Sequence, residues 1–221
     1  MYYAGDVTRP GCNSELQLVD ERIVGAKPRS MDFAQAAAIP LTAITAWEAF
    51  FDRMKIDPGG AQRGATLLVV GGAGGVGSIG IQLARIAGLR VVATASRPQS
   101  AAWVRELGAE WVIDHSRPMR PQLEALGMRS ADYVAVFNDI DRHWQEVCEL
   151  VRPQGAIVSI VAPRGPLPQD APPGPEASKK KPAEKQKRPA PKKKPEGGKE
   201  KGEPHAEQAS SVEGLSKRKP R

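Results

Sequence analysis

The stretch that most constrains this chain is TLLVVGGAGGVG at residues 66–77. Five β-branched or apolar residues run straight into a cluster of glycines, and the apolar residues of 79–87 follow with helical spacing. Gly72, Gly74 and Gly77 fit the pattern G-x-G-x-x-G. A strand, this turn and then a helix make the fingerprint of a dinucleotide-binding unit. The spacing gives each glycine a task. Gly72 is expected to permit the tight turn out of the strand. Gly74, without a Cβ, would let a pyrophosphate approach the backbone, and Gly77 would let the helix pack closely. The helix start at Gly75, Val76 and Gly77 would offer free N–H groups and a positive dipole end to phosphates. Glycine-rich turns also occur for purely structural reasons, so the flanking strand and helix carry the weight here.

From residue 66 onward the pattern alternates regularly. Strands are predicted at 66–70, 90–95, 111–113, 132–137 and 155–161, with helices at 75–87, 100–107 and 141–151 and a weak one near 123–126. Such alternation implies βαβ units and an α/β fold, a doubly wound parallel sheet covered on both faces. Five strands fall one short of the six of a complete dinucleotide fold. The front of the chain reads differently. Residues 1–28 look like short extended pieces: an alternating half-buried strand at 15–19, a turn at 20–22, another short strand at 23–24. Ser30 and Asp32 are candidate caps for a helix over 33–39 that stops at Pro40. A second helix is expected over 41–54, with Ile44, Trp47, Ala49, Phe50 and Phe51 on one broad apolar face.

Charge divides the chain sharply. Residues 1–162 carry 16 Lys and Arg against 17 Asp and Glu; residues 163–221 carry 16 against 8. The basic pI therefore belongs to the tail. That tail is rich in Pro, Lys, Glu, Gly, Ala and Ser and has few large apolar residues, so it is expected to be disordered. Its clusters at 179–181, 192–194 and 217–221 suit nucleic acid or an anionic surface, or equally a merely solvated extension. No aromatic residue interleaves the lysines to stack bases. Cys12 and Cys148 show neither metal spacing nor a disulfide framework. No signal peptide opens the sequence and no apolar run approaches the ~18 residues of a membrane span, so a cytoplasmic protein without a membrane partner is expected.

Several runs then resemble one known family. YYAGD at 2–6, QLVDER at 17–22, AAAIPLT at 36–42 and TAWEAF at 45–50 are similar to the medium-chain dehydrogenase/reductase superfamily. The glycine turn, LGA at 107–109 and VIDH at 112–115 extend the match. The branch resembled is the zinc-type alcohol dehydrogenase-like and quinone oxidoreductase group. The resemblance implies a fragment of a GroES-like β-barrel domain and connecting helices at 1–54, an incomplete NAD(P)-binding Rossmann domain at 55–162, and an unrelated tail at 163–221. It further implies hydride transfer between NADPH and a quinone, enone or related carbonyl compound, and it is compatible with a homodimer.

Three local features refine that expectation. An NAD-selective site wants an acidic residue at the end of the second strand, about 20 residues past the glycines. Here the place reads Ala95-Ser96-Arg97, so Ser96 and Arg97 would bind a 2′-phosphate instead, and NADPH is favoured over NADH. Arg97 could otherwise be an ordinary solvated loop residue. His115, ending the third strand, lies where the family can add a contact. Zinc is not expected, because Leu41 stands where zinc-dependent relatives carry a cysteine and the histidines lie in separate units. By resemblance, Thr45 faces the nicotinamide ring, while Asn138, Val161 and Ala162 line the same crevice at the strand ends. Thr45 as a helix-surface hydroxyl and Asn138 as a turn former are the alternatives, and Trp47, Phe50 and Phe51 are read as an apolar helix face packed on the sheet rather than as a substrate wall. Relative to the family the chain reads as lacking parts of the barrel and the sixth strand, so impaired catalysis is expected. A non-catalytic dinucleotide module with an anion-binding basic tail is the second reading.

Overall fold

The five residues Thr66–Val70 form β1, and its last four are buried. A strand covered on both faces must be apolar throughout rather than alternating, and TLLVV meets that demand. The computed structural model describes residues 3–5, 8, 9, 11 and 15–168, which fall in the first of two units, Met1–Pro182. Around β1 stand β2 (Arg90–Thr94), β3 (Trp111–Ile113), β4 (Ala131–Val136) and β5 (Val151–Ser159). The sheet order is β3-β2-β1-β4-β5 and every pairing is parallel. This is the doubly wound order with β1 in the centre and the direction of winding reversed between β1 and β4. The expected fold class holds.

Successive residues of the strands separate two cores. Leu67 and Val69 of β1, Val91 and Ala93 of β2 and Ala135 of β4 pack on one side with Phe50, Ile81, Ala84 and Val104. Leu68, Val70, Val92, Val134 and Val136 face the other side with Met119, Leu123, Ile140 and Val147. The first side is covered by α3 (Gly75–Ile86), α4 (Pro98–Glu106) and residues 49–56, which follow α2 (Pro40–Trp47), and the second by α5 (Met119–Ala125) and α6 (Ile140–Leu150). At the foot of the sheet Asp132 accepts from the Thr66 amide (2.7 Å) and the Arg152 guanidinium (2.6 Å), joining β1, β4 and β5.

Some local readings change. The helix over 33–39 is shorter, α1 at Phe33–Ala37, and starts with a capping box of Asp32 and Gln35. The helix expected over 41–54 is α2 followed by a π-helical turn, Glu48–Arg53. In that widened turn the Met54 amide donates to the Ala49 carbonyl and Ile56 to Phe50. The turn leaves Phe50 fully buried beneath Gly80 and Phe137, so Phe50 belongs to the core and not to a pocket wall. Final strand β5 begins at Val151 and ends at Ser159, earlier than the sequence indicates at both ends, because a bulge around Gly155 lets Val151 pair with Ala131.

The front segment differs most. Residues 15–19 form no strand, and Leu16 and Leu18 are 91% and 89% exposed. Alternation specifies a half-buried strand only where a neighbouring strand and a core exist. The sheet of the described residues is confined to β1–β5. The strand expected at 23–24 gives way to a 3₁₀ turn, Glu21–Ile23, capped by Asp20. Beyond β5, residues 163–168 remain attached to α6. Arg164 pairs with Asp139 (3.0 Å) and Trp144 Nε1 donates to the Pro168 carbonyl (3.1 Å). The expectations for Cys12, for His205 and for the tail from residue 169 on lie outside the described residues.

Candidate dinucleotide site

The glycine turn is built differently from its motif reading. Gly71 carries the left-handed conformation, with φ of 87°, so the sharp exit from β1 rests on the glycine before the motif. Gly72 answers a close approach: a Cβ there would stand 2.9 Å from the Ala93 Cβ on β2. Gly77 is the most demanding position, since a Cβ would meet the carbonyl oxygens of Gly71 and Gly72 at 2.5 and 2.6 Å. The first turn of α3 therefore lies directly on the turn that precedes it. At Gly74 a Cβ would find nothing nearer than the Gly71 carbonyl oxygen at 3.4 Å, and the residue is exposed. Buried Thr94 secures the arrangement, its hydroxyl accepting from the Gly71 amide (2.9 Å) and its carbonyl from Gly72 (3.2 Å).

Helix α3 starts at this turn with Gly74 as its cap residue and no side-chain cap. The amides of its first turn, Gly75, Val76 and Gly77, are thus left for an outside acceptor, where the helix dipole favours an anion. By contrast, α6 is capped by Asp139, which accepts from the Arg142 amide, and α5 starts against the Glu146 carboxylate. Helix α4 also lacks a side-chain cap, and its cap residue is Arg97.

A cleft of about 540 Å³ opens at the carboxyl ends of the strands. Gly74, Ser96, Arg97, His115 and Asn138 line it together with Thr94, Ser100 and Phe137. Gly72 and Gly77 lie buried in the turn behind it, and Gly75 and Val76 open α3 beside it. Thr45 is outside the lining: its hydroxyl donates back to the Leu41 carbonyl at 2.8 Å. The residue of α2 nearest the glycine turn is Thr42, whose methyl would be 3.1 Å from a Cβ at Gly75. Val161 and Ala162 are exposed past β5, and the Val161 carbonyl accepts from the Ser159 hydroxyl. Thr94, Ser100 and Phe137 escaped the sequence reading. The only hint was position, at the ends of two predicted strands and in the helix start after the second.

Three buried side-chain atoms of the described residues have no hydrogen-bond partner: Asn138 Oδ1, His115 Nδ1 and His143 Nε2. Asn138 and His115 both line the cleft. Burial holds His115 below its ordinary imidazole range, with Arg142 adding to the effect and Asp114 opposing it. Among the described residues no three His, Cys, Asp or Glu side chains gather as a metal site requires, and Leu41, 64% exposed, is an aliphatic without a donor atom. The described residues do not fit a catalytic zinc.

Residues 75–181 match the zinc-binding dehydrogenase family. A zinc-type alcohol dehydrogenase-like protein of Staphylococcus aureus is 39% identical over 163 residues, 73% of this chain and 49% of its own length. A protein of Rhizobium etli assigned as a zinc-dependent alcohol dehydrogenase has a solved structure that is 51% identical. It superposes with a TM-score of 0.67 over 74% of this chain and 48% of its own. The quinone oxidoreductase of Thermus thermophilus, solved also with NADPH, is 30% identical with a TM-score of 0.58, covering 69% of this chain and 48% of that one. The chain thus spans about half the length of the relatives it matches.

Proposed function

Because the chain belongs to the medium-chain dehydrogenase/reductase superfamily, we propose that it binds NADPH in the cleft beside the glycine turn and serves hydride transfer to a quinone, enone or related carbonyl compound without zinc. The single observation that carries this reading is the uncapped start of α3 over Gly74, opening beside a cleft that holds Arg97 and no carboxylate.

The residues have separate tasks in this reading. The first-turn amides of α3 hold the pyrophosphate, and the open space at Gly74 lets it reach them. Ser96 and Arg97 at the end of β2 take the 2′-phosphate, the guanidinium by charge-assisted hydrogen bonds. The Asn138 amide oxygen, buried and without a partner, accepts a donor from the cofactor. Bound NADPH supplies the hydride. Thr45, Val161 and Ala162 are assigned to the nicotinamide end by family position. Holding the two reactants in register and excluding water is the chain's contribution to rate.

The test compares NADPH with NADH on the purified full chain, with and without Arg97→Ala. The reading expects preference for NADPH, a loss of about tenfold in its affinity in the variant, matching about 1.4 kcal/mol for one charged contact, and little change for NADH. Equal affinities for both cofactors before and after the substitution would refute the 2′-phosphate assignment. A steady-state assay with 9,10-phenanthrenequinone then separates an oxidoreductase from a chain that only binds the cofactor.

A further inference from the structure

The cleft has a second layer that the phosphate cradle does not explain. His115, at the end of β3, lines the cleft. Behind it His143, near the start of α6, is 3% exposed. The two rings meet edge to face, with centroids 6.0 Å apart and planes at 87°. Each ring has a buried nitrogen without a hydrogen-bond partner, His115 Nδ1 and His143 Nε2. A histidine kept solely for packing normally has its buried nitrogens satisfied. Two such rings in contact, one of them lining the cleft, place an available proton acceptor at the cleft wall.

We propose that His115, packed ring to ring against His143, is the proton acceptor that couples entry of the anionic nucleotide to uptake of a proton from solvent. This inference rests on the cleft being the dinucleotide site. The surrounding charges fit it. At His143, protonation is opposed by His115 and then by Arg142 of α6, and favoured by Glu146 of α6 and its cap residue Asp139; Arg142 also opposes it at His115. From the end of β3, Asp114 favours it at His115, but that carboxylate is already engaged by Ser116 and Arg117. Arg97 lines the cleft from the start of α4 and adds a further cation. Burial is the largest influence on both rings and holds both below the usual imidazole range, so the protein by itself favours neutral rings. A phosphate-bearing ligand adds negative charge at the cleft and reverses that balance at His115. The bound proton then sits on His115, whose ring lines the cleft, while His143 stays neutral behind it. His143 acts here as a positioning residue: it does not line the cleft, and it sets the environment in which His115 titrates.

Linkage fixes the sign. Affinity rises as pH falls, by at most about tenfold per pH unit, over the interval between the His115 pKa values with and without ligand. The ligand's own phosphate monoester, which titrates near about 6, works in the opposite direction, because a cationic site prefers the dianion and expels its proton. Proton uptake therefore reports on the protein.

The experiment is calorimetric titration of the full chain with NADPH at pH 6.5 in two buffers of unlike ionisation enthalpy. Net uptake of a few tenths of a proton is expected for the natural chain after the ligand's own release is subtracted, with smaller uptake for His143→Gln and net release, from the ligand phosphate alone, for His115→Gln. Histidine side-chain NMR of the natural chain gives the same answer without a variant, since the His115 titration must move to higher pH when NADPH is added. Binding with no proton uptake and an unmoved His115 titration would overturn His115 as the acceptor while leaving the dinucleotide site standing. Absence of any NADPH binding by a folded chain would overturn both.

Discussion

The segment before residue 48 and the sheet that begins at residue 66 use similar apolar residues to opposite effect. In the sheet, Leu67, Leu68, Val69 and Val70 are fully buried. In the front segment, Leu16 and Leu18 lie about nine-tenths exposed, and Phe33, Leu41, Ile44 and Trp47 are exposed as well. Hydrophobicity alone does not place a residue inside; an opposing surface does. The sheet has that surface on both faces, from its own crossover helices and, on the first face, from residues 49–56. The two regions meet at the π-helical turn, where Phe50 plugs the first core under α3 while its neighbours Trp47 and Phe51 pack edge to face at its rim. Every residue lining the cleft belongs to the well-packed side.

The largest expected effect breaks or upholds that contrast directly. Phe50→Ala should cost about 3–5 kcal/mol in chemical denaturation, as a fully buried aromatic does, whereas Leu18→Ser should change stability by under about 0.5 kcal/mol. Comparable losses from the two would show that the front segment is packed after all. Next comes Gly77→Ala. Its Cβ would collide with two backbone oxygens that cannot swing aside, so about 1–3 kcal/mol of stability and most of the NADPH affinity should be lost. Gly127→Ala is the control, a glycine at φ 77° with open space around it, where the cost is backbone strain alone, about 1 kcal/mol, and binding is retained.

The smallest effect concerns pH. Burial lowers the His143 pKa in the folded chain, so that state stays neutral. Above the ordinary value of about 6.5 both folded and unfolded chains are neutral, and the group adds no pH dependence. Below it the unfolded chain binds the proton first, so stability falls as pH drops from about 6.5 toward the folded pKa, by at most about 1.4 kcal/mol per pH unit. His115 contributes in the same direction. Denaturation midpoints at pH 7.5 and 5.5 should therefore differ less in His143→Gln than in the natural chain.

Much of the sheet was legible in the sequence because its signal is redundant. A two-sided apolar run such as TLLVV, a glycine cluster and a following helical period agree with one another, and β1 and β3 emerge with the predicted bounds. Less was legible where one pattern stood alone. Alternation at 15–19 could not reveal whether a partner strand lies beside it. The π-helical turn at Glu48–Arg53 shares the apolar composition of an α-helix and differs only in which carbonyl each amide finds. Gly71 was passed over because G-x-G-x-x-G begins one residue later, although Gly71 has the positive φ. His143 had no sequence signal at all: its role comes from a ring contact between the end of β3 and the start of α6, 28 residues apart in sequence.

The central claim is that the turn at residues 71–77 and the cleft beside it form a working dinucleotide site. Titration of the folded full chain with NADPH, followed by cofactor fluorescence, tests it most directly. The account predicts saturable binding of one NADPH per chain, weaker binding of NADH, and loss of the signal in Gly77→Ala. A folded chain that shows no saturation at millimolar NADPH would contradict it.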